Sequence, residues 1–366
     1  MVAAVLGGCG YFTAPARADD GPGSQALAEG KRDMIAGHFR HAMLLLHQAA
    51  AKGNGMAMFG IGFIYDRGEG VPKDEAKALA WWRKAAAKGD RLAMYDIGVD
   101  YNRGEGVPQD YAKALEWYRK AAAKGDGDAI FNIGTLYDRG DGVPRNYATA
   151  IAWYRKAAAK GNSEAMDNIG ADYQNGEGVP QDTAKAMTWY HKAVAKGNSA
   201  AMYNIGVLYE GGAGVEKDEH KALAWYRKAA AEGNRLAMYN IGNDYRHGEG
   251  VPQNYVKAMA WYRRAAAEGD SDAMTNIGLL YGQGDGVPRD ESKSLAWYRK
   301  AAAKGNGWAA LNIGNHYYNG DGVPKDEGKA LAWWRKAAAK GGRAALLARK
   351  AITRVQVGRK IENQGR

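Results

Sequence analysis

Three pairs of residues have the types and spacing for recognition chemistry. Phe59 and Arg67, Tyr95 and Arg103, and Phe131 and Arg139 each lie eight positions apart, and the pairs repeat every 36 residues. Aromatic rings supply contact area at little entropic cost, and guanidinium groups supply paired hydrogen bonds to carboxylates, which is the composition of an interface hot spot. Tyr203 and Tyr239 occupy the same ring position further along the chain. These eight residues form the candidate partner site, and the arginines point to a peptide or loop with an acidic segment. Two other readings of the same residues stand beside it. The rings can close against the protein itself with the arginines merely solvated, or exposed rings and amides can hold an acidic glycan.

No set of residues suggests catalysis, a cofactor or a metal. The recurring G-[ED]-G-V-P loops, varied only at Gly212-Ala213-Gly214-Val215-Glu216, follow helical patterns rather than strands and lack the G-K-[ST] ending of a phosphate loop. They are read as helix-to-helix turns. His38 and His41 are three apart and could share an ion, but no third ligand lies nearby in sequence. No Ser-His-Asp set, H-E-x-x-H motif or carboxylate pair stands out. Two further ladders do. Asp96, Asn132, Asn168, Asn204, Asn240, Asn276 and Asn312 share one position, where amides suit either helix-to-helix hydrogen bonds or an extended peptide backbone. Four positions on, Ile64, Asp100, Leu136, Asp172, Leu208, Asp244, Leu280 and His316 alternate with a two-copy period, as expected from duplication of a 72-residue unit.

The elements that must position these residues follow from that period. Aligning Ala57, Ala93, Ala129, Ala165, Ala201, Ala237, Ala273 and Ala309 gives eight copies of 36 residues without insertion. Each reads approximately A-M-x-N-I-G-x-x-Y-x-x-G-[ED]-G-V-P-x-[DN]-x-x-K-A-x-x-W-Y-R-K-A-A-A-K-G-[ND]. Apolar residues recur at helical spacing twice per copy, so each copy is a helix pair. Asp74, Asp110 and their equivalents are the predicted N-caps of the second helices, and Gly125-Asp126 illustrates the stop and start between copies. On a 100° wheel the third, seventh and eleventh positions fall opposite the Ala, Met, Ile, Gly and Tyr face. Gly98 and Gly134 sit mid-helix, which costs about 1 kcal/mol against alanine and argues for close helix approach. The tryptophans, from Trp81 through Trp117 to Trp333, are expected to form a buried ladder. One helix pair cannot cover its own apolar faces, so the copies must stack into a solenoid.

The pattern resembles the Sel-one-like repeats, a branch of the tetratricopeptide-like superfamily, over residues 57–342. The resemblance implies an all-α, right-handed α–α superhelix and a non-enzymatic role as adaptor or assembly scaffold, often in bacterial envelope, secretion or signalling complexes. It also raises a hydrolase alternative through cysteine-rich relatives for which penicillin binding is claimed. Here the one cysteine, Cys9, lies outside the repeats, so that reading gains no support.

Composition and the chain ends complete the expectation. With 46% hydrophobic and 25% charged residues the chain is a folded protein rather than a disordered one. Of the net +11, +6 falls in residues 343–366, and residues 57–342 hold 39 basic against 35 acidic groups, so no nucleic-acid footprint is present. Residues 1–24 read as an export segment, with Ala16-Arg17-Ala18 as the cleavage site, or as a lipoprotein signal acylated at Cys9. Periplasm or envelope is therefore the expected location, with an unprocessed cytoplasmic chain as the alternative. No run is long and apolar enough for a transmembrane segment. Residues 25–56 are expected to cap the N-terminal end with a half-repeat beginning at Ala42. Residues 343–366 are expected to cap the other end through Leu346, Leu347, Ala351, Ile352 and Val355.

Overall fold

The computed structural model describes residues 23–364. The expected export segment, including Cys9 and Ala16-Arg17-Ala18, lies outside the described residues. Among those described, all regular structure is helical, in nineteen helices. They are α1 (Ser24–Ala36), α2 (Phe39–Ala51), α3 (Gly55–Arg67), α4 (Glu75–Ala87), α5 (Arg91–Arg103), α6 (Tyr111–Ala123), α7 (Gly127–Arg139), α8 (Tyr147–Ala159), α9 (Ser163–Asn175) and α10 (Thr183–Val194). There follow α11 (Ser199–Gly211), α12 (Glu219–Ala231), α13 (Arg235–His247), α14 (Tyr255–Ala267), α15 (Ser271–Gln283), α16 (Glu291–Ala303), α17 (Gly307–Asn319), α18 (Glu327–Ala338) and α19 (Gly342–Gln364). The chain forms two compact units, Met1–Trp189 and Tyr190–Arg366. In each, helices pack on their neighbours in sequence, as an all-α solenoid requires.

From α3 to α18 each helix start is fixed by a side chain, whereas Gly23 and His38 before α1 and α2 make no such bond. Asp90 accepts from Ala93 N at 2.8 Å and opens α5, and Asp110 accepts from Lys113 N at 3.0 Å and opens α6. Asp74 does the same for α4, as predicted. Such a cap satisfies one of the orphan N–H groups of the first turn and is worth about 1 kcal/mol. The G-[ED]-G-V-P segments are the turns between helices, entered through left-handed glycines such as Gly104 at φ 77°.

The mid-helix glycines explain the core. A Cβ on Gly98 would lie 2.6 Å from the ring of Tyr118, and one on Gly242 would lie 2.5 Å from that of Tyr262. The ring of the second helix therefore lies flat on the backbone of the first. This corrects the expectation of a buried tryptophan ladder. The ladder that is buried stands one residue later, at Trp82, Tyr118, Tyr154, Tyr190, Tyr226, Tyr262, Tyr298 and Trp334. One residue turns a helix by about 100°, so only one of two adjacent aromatics can meet the glycine. The displaced tryptophans are half-buried and carry cations instead: Lys120 Nζ stands 3.9 Å from the Trp117 ring centroid and Lys228 4.0 Å from that of Trp225. Each contact is worth about 0.5–1 kcal/mol. Consecutive copies are further joined by arginine-to-tyrosine hydrogen bonds, such as Arg83 Nη2 to Tyr101 Oη at 2.9 Å and Arg263 Nη2 to Tyr281 Oη at 2.9 Å.

At the N-terminal end, Met34 of α1 and Leu46 of α2 share a core with Phe59 and Ile61 of α3. At the C-terminal end Ala348 and Val355 of α19 pack with Leu331 and Trp334 of α18. The predicted apolar face of this last helix holds at Ala351, Ile352 and Val355 and is corrected at Leu346 and Leu347, which are 53% and 38% exposed while Ala344, Ala345 and Ala348 are buried.

Candidate functional site

The first unit brings together some of the predicted partner residues and separates others. Arg67, at the end of α3, and Tyr95 and Arg103, both on α5, line one cavity of about 240 Å³ with Phe63, Trp82 and Val99. Tyr95 also lines a second hollow, of about 480 Å³, together with Phe131 and Asn132 of α7. Asn132 Nδ2 reaches Tyr95 Oη at 3.5 Å. Arg67 and Arg103 are exposed, with the Arg67 guanidinium 5.5 Å from the Phe63 ring and Arg103 Nη1 3.7 Å from Glu105 Oε1.

Phe59 is not a groove residue. It is 1% exposed and stacks on Trp82 at 6.5 Å in a core shared with Met34 of α1 and Leu46 of α2, whereas Tyr95, Phe131, Tyr203 and Tyr239 at the same position are half-buried. Arg139 is exposed and lines neither cavity. Tyr203 and Tyr239, in the second unit, tilt onto Tyr226 and Tyr262 at centroid distances of 5.6 and 6.0 Å. Tyr95 and Phe131 make the same contact with Tyr118 and Tyr154. The ring at the third position thus packs on the buried ring of its own copy, and one of its edges faces the groove.

The cavity walls hold groups that the ring-and-arginine pattern did not reveal. Asp66, Asp96, Asp100 and Glu105 line the same space as the two arginines. Burial, reinforced by the neighbouring carboxylates, pushes Asp96 and Asp100 up to about 8. At neutral pH much of this pair is therefore protonated, which leaves Asp66 and Glu105 as the other acids of the lining, Glu105 being 3.7 Å from Arg103. Two polar atoms in the lining have no internal partner: the Trp82 indole Nε1 and Asp100 Oδ2. The equivalent indole of α18 shows why. Trp334 Nε1 donates to Asn315 Oδ1 at 3.1 Å, whereas the residue corresponding to Asn315 beside Trp82 is Phe63, which offers no acceptor. Asp96 itself stands where later copies have asparagine, and those amides bridge neighbouring helices, as Asn276 Nδ2 does to Asn243 Oδ1 at 3.4 Å.

The helix-pair repeats match a known family. The Sel1 repeat model matches residues 55–90, 91–126, 127–162, 163–198, 199–234, 235–270, 271–306 and 309–342. The chain belongs to the Sel1 repeat family. A Sel1 repeat protein from Oxalobacter formigenes is 32% identical with a TM-score of 0.67, over 82% of this chain and 88% of the other. A protective antigen of uropathogenic Escherichia coli with an SLR fold is 36% identical with a TM-score of 0.60, over 86% of this chain and 68% of the other. No curated protein matches the chain. Sel1 repeat proteins are generally protein-interaction scaffolds.

The two-copy alternation also acquires a structural meaning in this Sel1 chain. Asp100, Asp172 and Asp244 are all buried, each with an Oδ2 that has no partner. Burial and the nearby Asp138 and Glu177 push Asp172 up to about 7. At the fourth place in the series His316 Nδ1 donates to Asp321 O at 2.8 Å, and its Nε2 lies 3.5 Å from Ser294 Oγ. Glu291 Oε2 is 3.9 Å from the same Nδ1, so a serine, a histidine and a carboxylate lie in line. Ser294 is 0% exposed, and no substrate can reach its hydroxyl. The row is a packing device. His38 and His41, the other histidines singled out, converge on Asp33, at 3.7 and 2.5 Å.

Proposed function

We propose that this chain is a non-catalytic scaffold whose protein partner docks on the first unit, across the cavity between α3 and α5 and the hollow between α5 and α7. The observation that carries the reading is the joining of exposed Arg67 and Arg103 to a cavity with two unpartnered buried polar atoms, Trp82 Nε1 and Asp100 Oδ2. Buried donors and acceptors without partners cost about 1–3 kcal/mol each, and a bound segment that orders or displaces these side chains can recover that cost. The guanidinium groups favour a carboxylate-bearing peptide or loop. The raised carboxyls of Asp96 and Asp100 lessen the repulsion of such a ligand at neutral pH and below.

The test is affinity capture from envelope and cytosolic fractions of the source organism, comparing the wild-type chain with Arg67, Arg103 and Arg139 together replaced by Ala. Loss of a protein partner in the triple variant is the expected result. Equal capture by both chains places the partner elsewhere on the scaffold. A ligand that survives protease treatment of the lysate identifies an acidic glycan instead.

A further inference from the structure

Three carboxylates of the second unit converge. Glu210 near the end of α11, Asp244 near the end of α13 and Glu249 in the turn after α13 each bring one oxygen within 4.8 Å of the other two. Among the described residues, no other set of three histidine, cysteine or carboxylate groups meets so closely. Asp244 is 4% exposed, and its Oδ2 has neither a donor nor solvent contact. The neighbouring cations make their short contacts elsewhere and reach the set only at longer range: Arg227 donates to Tyr245 Oη at 3.0 Å, Lys217 pairs with Glu219 at 2.8 Å and Lys221 with Asp218 at 3.1 Å. A buried carboxylate beside two others is unfavourable in its charged form unless a proton or a cation neutralises it.

We propose that Glu210, Asp244 and Glu249 bind a hard divalent cation, with calcium preferred over magnesium. An all-carboxylate set excludes the nitrogen and sulfur ligands that zinc and copper favour. Glu249 is exposed and carried on a turn, and Glu210 is half-buried, so water can complete a coordination sphere of six to eight oxygens. That adaptable geometry suits calcium, whereas magnesium demands a near-ideal octahedron. Tyr226 Oη donates to Glu210 Oε2 at 2.6 Å and orients that carboxylate, as an outer-shell partner should.

The chain supplies its own counter-example. One two-copy period later, Gly282, His316 and Asp321 replace Glu210, Asp244 and Glu249. There the imidazole fills the place of the carboxylate and bonds Asp321 O directly. At Asp100 and Asp172, where no such set converges, the aspartate stays and its Oδ2 is likewise unpartnered, so the imidazole is particular to the His316 locus.

The experiment is calcium titration of the full chain after chelator treatment, read by calorimetry and by thermal unfolding, with magnesium in parallel. The expected result is saturable calcium binding with a rise in unfolding temperature, and a smaller rise with magnesium. Asp244→Asn should keep the fold of the metal-free chain and abolish both signals. Glu249→Gln, on the exposed turn, should weaken calcium binding about tenfold or more without changing the metal-free unfolding temperature. Absence of calcium binding in the wild type overturns the site, and so does an undiminished calcium effect in Asp244→Asn or Glu249→Gln.

Discussion

The loci at Asp244 and at His316 lie 72 residues apart in one unit and share a backbone but not a chemistry. At the first, a buried aspartate faces two glutamates and one of its oxygens is unpaired. At the second, a buried histidine reaches Asp321 O and Ser294 Oγ and stacks edge-on with Tyr298 at 5.6 Å. Position 294 is alanine in the other seven copies, and Gly282 stands where Glu210 does. The substitutions at 282, 294 and 316 therefore act together: the acid beside the site is removed, a hydroxyl is added and a ring takes up the volume. The difference teaches that the helix-pair scaffold tolerates a polar residue at this buried position in two ways, either self-satisfied or left for something outside the chain.

The largest expected effect comes from breaking what the two loci have in common. Two residues before each polar group stands a glycine, Gly242 or Gly314, on which a ring of the second helix rests. Gly242→Ala would put a methyl group 2.5 Å from Tyr262 Cε1, and the rigid ring cannot give way as a flexible chain would. A loss of about 3 kcal/mol is expected, at the upper end for overpacking, measured by urea unfolding followed by circular dichroism. An unchanged midpoint would mean that the ring and not the glycine sets the close approach. A smaller effect is expected from making the second locus resemble the first. His316→Asp would place a carboxylate against Asp321 O and near Glu291, with only the Ser294 hydroxyl to donate. It should cost about 2 kcal/mol in the same unfolding experiment, and a neutral outcome would remove the argument that His316 is there to satisfy the site.

How much of this was legible in the sequence depends on which interactions are local. The helix pairs, their caps at Asp74 and Asp110 and the turns between them are set by residues within a few positions of one another, and the 36-residue repetition multiplies the signal eightfold. The choice between Trp117 and Tyr118 for the core is not local. Both are aromatic and adjacent, and only the partner glycine on the preceding helix decides which is buried. Phe59 was misplaced for a related reason: its equivalents Tyr95 and Phe131 are half-buried, and the α1 and α2 residues that share its core lie outside the repeat frame. The carboxylates of the cavity were visible one by one. Asp100 belongs to the alternating series, but Asp66 and Glu105 come from different copies, and spacing along the chain does not show that they line the same space.

Asp172 is a buried aspartate of the same series in the first unit. Burial and the facing Asp138 and Glu177 raise its carboxyl to about 7, against an ordinary value of 3.8. The folded chain therefore holds a proton there that the unfolded chain releases near pH 4. Between those two values the native state binds more protons than the unfolded state, so this group's contribution to stability falls as pH rises from about 4 to about 7 and then levels off. Asp172→Asn keeps the shape, adds two donors toward Asp138 and Glu177, and has no proton to lose. Above pH 7 it should be more stable than the wild type by about 1 kcal/mol after allowance for solvent screening, and the gain should vanish near pH 4, where both forms are neutral. Unfolding midpoints of the two chains compared at pH 4.5, 6 and 8 test this. Parallel curves would mean that Asp172 is ionised in the folded protein and compensated, in which case the aspartate loci would be as self-sufficient as the one built around His316.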